Sequence, residues 1–131
     1  MKTTGNRSNK TAVSLPIGIL HVQTTLNNTI MTLTDRKGNT IFGFSSGMLG
    51  FGGSRKKTRF ASRSVAQHMV LRCKQLRIQR LILAIKGIGA RMNLNFLTSL
   101  IKKGRKISIV QIIDKTPKVH NGCRPSKMPR K

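Results

Sequence analysis

The chain has 131 residues, of which 26 are Lys or Arg and only 2 are acidic, giving a formal charge of +24. That balance excludes most enzymes, above all those whose centres converge several carboxylates on a metal or a water, and a protein so charged repels itself unless a polyanion surrounds it. The length and the 37% hydrophobic content allow one small domain with a modest core and flanking tails.

Nucleic acid is the polyanion the composition favours, because Lys and Arg release counterions from phosphates whatever the base sequence. No stretch approaches the roughly 20 apolar residues needed to span a bilayer. Cys73 and Cys123 lie far apart and read as free thiols of a reducing compartment. Residues 1–18 carry Lys2, Arg7 and Lys10 without an acid and read as a basic arm rather than as a transit peptide.

Residues 19–26, 30–34 and 40–45 are rich in β-branched and aromatic residues with loose alternation, which predicts three strands. Asn27-Asn28 and the cluster at 35–39 are turn formers, so the three make an antiparallel meander. A glycine-rich stretch at 47–53 then runs into Arg55, Lys56, Lys57 and Arg59. A helix is expected from about Thr58, with Phe60, Ala61, Val65, Ala66, Met69, Val70, Cys73 and Leu76 as its apolar stripe.

The apolar run at 81–85 predicts a central strand buried on both faces. Gly87-Ile88-Gly89-Ala90 leads into a second helix marked by Leu94, Leu97, Leu100 and Ile101 and ended by Gly104. Ile107, Ile109, Ile112 and Ile113 form a last strand with one register irregularity. The order βββαβαβ defines an α/β domain over 19–114, a mixed five-stranded sheet with two helices. Residues 115–131 hold three prolines and six Lys or Arg without apolar periodicity, and form an extended basic tail.

No catalytic constellation emerges. Asp35 opens a turn and Asp114 ends a strand, where each carboxylate most simply bonds nearby backbone. His21, His68 and His120 are scattered, and His120 with Cys123 supplies two ligands where zinc commonly takes four, so neither metal nor cofactor is expected. The glycine segments lack the G-K-[ST] of a P-loop and the third glycine of a dinucleotide fingerprint. With 4% aromatic residues and no Trp or Tyr, the chain lacks a base-stacking platform, so backbone and shape are the expected basis of recognition.

Two segments carry the strongest signal for RNA: the glycine-rich loop with Arg55, Lys56, Lys57 and Arg59, and the tail. In the tail, Arg124 can grip phosphate bidentately, while Lys118, His120, Lys127, Arg130 and Lys131 add charge or hydrogen bonds. Asn121-Gly122 gives it a turn and also a step open to succinimide formation. A nucleoid-compacting DNA binder and an organellar nuclease are the rival readings.

HVQTTLNNTIMTLTDRKGN at 21–39, GFGGSRKKTRFA at 50–61, KGIGAR at 86–91 and DKTPKVHNGCRPSK at 114–127 closely resemble the universal small-subunit ribosomal protein family numbered eleven. The resemblance implies a ribonuclease H-like fold and no catalysis. It also implies a place on the small-subunit platform beside the messenger RNA exit channel, with ribosomal RNA and small-subunit proteins seven and eighteen as neighbours. On matching positions it implies RNA contacts or contact-forming turns at Asn27, Asn28, Arg55, Lys56, Lys57, Lys86, Asn121, Arg124 and Lys127.

Gly52 stands where the family commonly has Arg, Arg59 and Val119 where it has Pro, and Ile88 to Ala90 where it has a second Pro-Gly pair. These departures, the absence of Glu and the basic start favour a mitochondrial ribosome over a bacterial or plastid one.

Overall fold

A computed structural model describes residues 16–88, 90–104 and 106–130, with backbone only at 90–93. The elements are β1 (Ile17–Thr24), β2 (Thr29–Thr34), β3 (Thr40–Ser45), α1 (Arg59–Gln75), β4 (Arg80–Gly87), α2 (Ala90–Lys103) and β5 (Ser108–Asp114), with a 3₁₀ turn at Gly53–Lys57 ahead of α1. The α/β order is the one the sequence predicts. The start of the chain, including Lys2, Arg7 and Lys10, lies outside the described residues, as do Gly89 and Lys131.

The five strands form one sheet in the order β3-β2-β1-β4-β5. β1 and β2 pair antiparallel, as do β2 and β3, while β4 lies parallel to both β1 and β5. All strands but β2 therefore point the same way. β4 is an interior strand, as expected, paired on both sides, while the exact middle falls to β1, because the meander places two strands on one side of β1 and the helical crossovers place two on the other.

β1 begins two residues before the predicted strand and ends at Thr24. Ile17 and Gly18 are drawn in by parallel pairing with Arg80 and Leu81. Leu26, expected on the strand, is 71% exposed in the turn that follows.

Registered rows of side chains explain the core. Leu33, Leu20 and Leu83 line up across three strands, and Met31, Val22 and Ile85 form the next row. Both rows join Val65, Ala66, Met69, Val70 and Cys73 of α1 and Leu97 and Ile101 of α2 in one buried cluster. The two helices thus cover the same face of the sheet, and the opposite face is left open. β4 is accordingly buried on its helix side, whereas Ile82 on the other side is only half-buried. The expectation of burial on both faces holds at Ala84, which faces away from the helices and is buried, and gives way only at Ile82, because both crossovers lie on the other face.

The α1 stripe holds from Ala61 to Cys73, but Phe60 is 69% exposed. It sits in the first turn, ahead of the sheet, and meets the Phe51 ring edge-on at 5.9 Å. Thr58 caps the helix, its hydroxyl accepting from the Ala61 N–H at 3.2 Å. The irregularity expected in β5 is present: Leu81 opposes Ile109 and Ile82 opposes Gln111, so Val110 is the extra residue of a bulge.

Candidate nucleic-acid interface

The predicted RNA residues lie in segments far apart in sequence, and the topology brings them to one end of the sheet. The turn holding Asn27 and Asn28 follows β1, the loop with Arg55, Lys56, Lys57 and Arg59 follows β3, Lys86 is the penultimate residue of β4, and the basic tail leaves β5. Because those four strands are parallel, all four segments emerge at their carboxyl ends, the common position of ligand sites on sheets of this kind.

Each segment is held by local hydrogen bonds. In the first turn, Asn28 Oδ1 accepts from the Thr29 N–H at 2.9 Å, and the Asn28 N–H donates to Thr25 Oγ1 at 3.1 Å. Asn28 is therefore a turn former, half-buried, while Asn27 stands exposed beside it. In the second segment the Thr58 hydroxyl donates to the Arg55 carbonyl at 2.8 Å, which closes the 3₁₀ turn against the start of α1. Arg55, Lys57 and Arg59 are exposed and Lys56 is half-buried. Cations and the N-terminal N–H groups of a long helix thus face the same approach.

The tail is fastened where it leaves the sheet. The Lys115 N–H donates to the Ile85 carbonyl at 2.8 Å, and the Gly87 N–H reaches Thr116 Oγ1 at 3.3 Å. Asp114 Oδ1 accepts from both the N–H and the hydroxyl of Thr116, at 3.0 and 2.6 Å. Beyond it, residues 115–130 are exposed throughout. Asn121 adopts the left-handed region at φ 54°, which gives the Asn121-Gly122 turn its shape. Lys118, His120, Arg124, Lys127 and Arg130 all project from this segment into solvent.

The acidic residues have structural employment. The Asn39 N–H and side-chain amide donate to the two Asp35 oxygens at 2.9 and 3.0 Å, and these bonds hold the carboxyl below its ordinary range. Asp35 follows β2, the one strand that runs the other way, so it lies at the opposite end of the sheet from Asp114. The two cannot converge on one reacting atom. Among the described residues no three of His, Cys, Asp and Glu come together as a metal set.

His21 and Lys115, which sequence patterning does not single out, line an open depression with Lys86, Gln23, Thr32, Ala84 and Val22. Burial, and then the charge of Lys115, push the His21 imidazole below its usual range. The signal was present in the alternation of β1, which puts His21 on the face opposite Leu20 and Val22.

A mixed sheet with both helices on one face, basic segments at the carboxyl ends of four strands and almost no acids to match them defines a strongly basic α/β protein. The chain belongs to the ribosomal protein S11 family, whose model matches residues 18–130. It is 46% identical over 113 residues to the small ribosomal subunit protein uS11 of Buchnera aphidicola, a match covering 86% of this chain and 85% of the relative. It is 40% identical over 130 residues to the protein of the same description from Methylococcus capsulatus, covering 99% of each. The one from Chlamydia caviae is 38% identical over 117 residues, 89% of this chain and 86% of the relative.

Proposed function

We propose that this chain is a structural constituent of the small ribosomal subunit that binds ribosomal RNA and catalyses no reaction. The observation that carries the reading is the convergence of the Asn27-Asn28 turn, the Arg55 to Arg59 loop, Lys86 and the tail at one end of the sheet. Membership of the ribosomal protein S11 family supports it, and bacterial relatives described as small-subunit proteins support it further.

The RNA contacts in this reading are Asn27, Arg55, Lys56, Lys57, Arg59, Lys86, Lys118, His120, Asn121, Arg124, Lys127, Arg130 and Lys131, with Asn28 shaping the turn. The domain at 19–114 docks its cationic end on RNA, while the arm at 1–18 and the tail at 115–131 reach between RNA helices. The place proposed for it is the platform beside the messenger RNA exit channel, with small-subunit proteins seven and eighteen adjacent.

The ribosome in question is mitochondrial, a reading supported by the absence of Glu and by Gly52, Arg59 and Val119 at positions where the family commonly differs. The bacterial origin of the relatives favours the alternative of a bacterial cytoplasm. Cell fractionation distinguishes the two.

The test is sedimentation of the full chain with small subunits against sedimentation with DNA, followed by a crosslinking map inside the subunit. Co-sedimentation with small subunits and crosslinks from the loop and tail to RNA are expected. Preferential sedimentation with DNA would return the nucleoid-compacting reading.

A further inference from the structure

The open face of the sheet carries its own group of polar and charged side chains. Strand register sets Thr32, His21 and Ala84 in one row and Gln23 and Lys86 in the next, and Lys115 continues β5 alongside them. Gly43 extends the first row on the far side of Thr32. The row ends at Ile113 of β5, so His21 is its one ring, set between the small side chains of Thr32 and Ala84, and the surface sinks beside it into a depression of about 440 Å³. That lies within the roughly 300–1,000 Å³ of sites that take small molecules.

The ring is held in place. His21 Nε2 shares a hydrogen bond with Thr34 Oγ1, 3.2 Å away, and that hydroxyl also donates to the Ile19 carbonyl at 3.4 Å. Burial, and then the charge of Lys115, disfavour the charged form of the ring. Around it stand an apolar floor at Ala84, an amide at Gln23, a hydroxyl at Thr32 and two ammonium groups at Lys86 and Lys115. An RNA duplex presents convex rows of phosphates and cannot enter such a hollow. A single unstacked nucleotide can, because its base offers a π-face to an imidazole, its edges pair with amides and hydroxyls, and its phosphate meets lysine.

We propose that this depression receives one unpaired nucleotide of the ribosomal RNA, its base laid on the His21 ring and its phosphate met by Lys86 and Lys115. The proposal rests on the RNA-binding function given above and adds to it a site of base recognition, where the loop and tail read only backbone and shape.

The test titrates the full chain against small-subunit ribosomal RNA over a salt series. His21→Ala is expected to weaken binding roughly ten-fold at fixed salt and to leave the slope of log affinity against log salt unchanged, as loss of a stacking contact does. His21→Phe, which keeps a ring, is expected to retain most of the affinity. Lys86→Gln and Lys115→Gln are each expected to reduce the slope by about 1. Ultraviolet crosslinking of subunits assembled with the unaltered chain is expected to leave a mononucleotide adduct on the peptide carrying His21.

Unchanged affinity in His21→Ala, or adducts confined to the 55–59 loop and the tail, would overturn the proposal. Sedimentation separates this from the broader reading: if the unaltered chain fails to associate with small subunits, the proposed function itself falls. If it associates but the His21 results are negative, only the nucleotide site is lost.

Discussion

Gly87, the last residue of β4, lies against the backbone of Thr24, the last residue of β1, so closely that the Thr24 carbonyl oxygen occupies the place where a Cβ would stand. The residue also has a φ of 102°, which L side chains rarely adopt. Both features follow from its position: the chain must turn off the sheet toward α2 while its N–H is still engaged by Thr116.

Gly87→Ala therefore adds a collision to a backbone penalty and is expected to destabilise the domain by at least about 2 kcal/mol. Gly38→Ala is the control, since its φ of 91° is equally demanding but no atom stands near the new methyl. Urea unfolding of the two variants checks the order. Equal losses would mean that the backbone relaxes away from Thr24.

The elements were legible because each announces itself locally. Alternation over the strands, the Thr58 cap and the Ala61 to Cys73 stripe needed no tertiary information. What stayed hidden depends on which strands become neighbours. The central place of β1, the pairing of Ile17 and Gly18 with β4, and the exposure of one face follow from both crossovers lying on the same side of the sheet. The site divides in the same way. Clustered cations at Arg55 to Arg59 and in the tail can be read from the string of residues, whereas the grouping of His21 with Lys86 and Lys115 exists only once β1, β4 and β5 are in register.

The start of β2 is tied to α1 by a buried hydrogen bond between the hydroxyls of Thr29 and Ser62, 2.7 Å apart. Removing either partner leaves the other buried without it, so Thr29→Val and Ser62→Ala are each expected to cost about 1–2 kcal/mol. The double variant replaces both with apolar groups and is expected to cost less than the two losses added together, by at least about 0.5 kcal/mol. Denaturant midpoints of the four proteins measure the coupling, and strict additivity would show that the bond contributes nothing.

The two thiols differ in environment and should differ in chemistry. Cys73 is packed in the core under α1, and burial pushes its pKa up to about 12, whereas Cys123 is exposed in the tail. At pH 8 a thiol reagent is expected to modify one cysteine per folded chain and two in denaturant. The sign of the pH effect follows. The folded thiol keeps its proton to higher pH than an unfolded one at its ordinary value of 9.0. The stability linked to Cys73 is thus intact below about pH 9 and falls as pH rises toward 12. Alkaline melts of the unaltered chain against Cys73→Ala isolate the contribution, and identical pH profiles would contradict it.

The proposed binding to RNA at the carboxyl ends of the strands carries a measurable electrostatic signature. With roughly 6–10 phosphate contacts, affinity is expected to fall on the order of 1,000- to 100,000-fold between about 50 and 200 mM salt. Neutralising Arg55, Lys56 and Lys57 together with Gln is expected to reduce the salt slope by about 3, because each cation releases about one counterion. Arg124→Lys preserves charge but loses the planar fork that holds a phosphate with two parallel bonds. It is expected to weaken binding with little change of slope. Filter-binding titrations at several salt concentrations separate the two behaviours. A triple variant with the slope of the unaltered chain would remove the 3₁₀ turn from the RNA interface and leave the tail as its principal anchor.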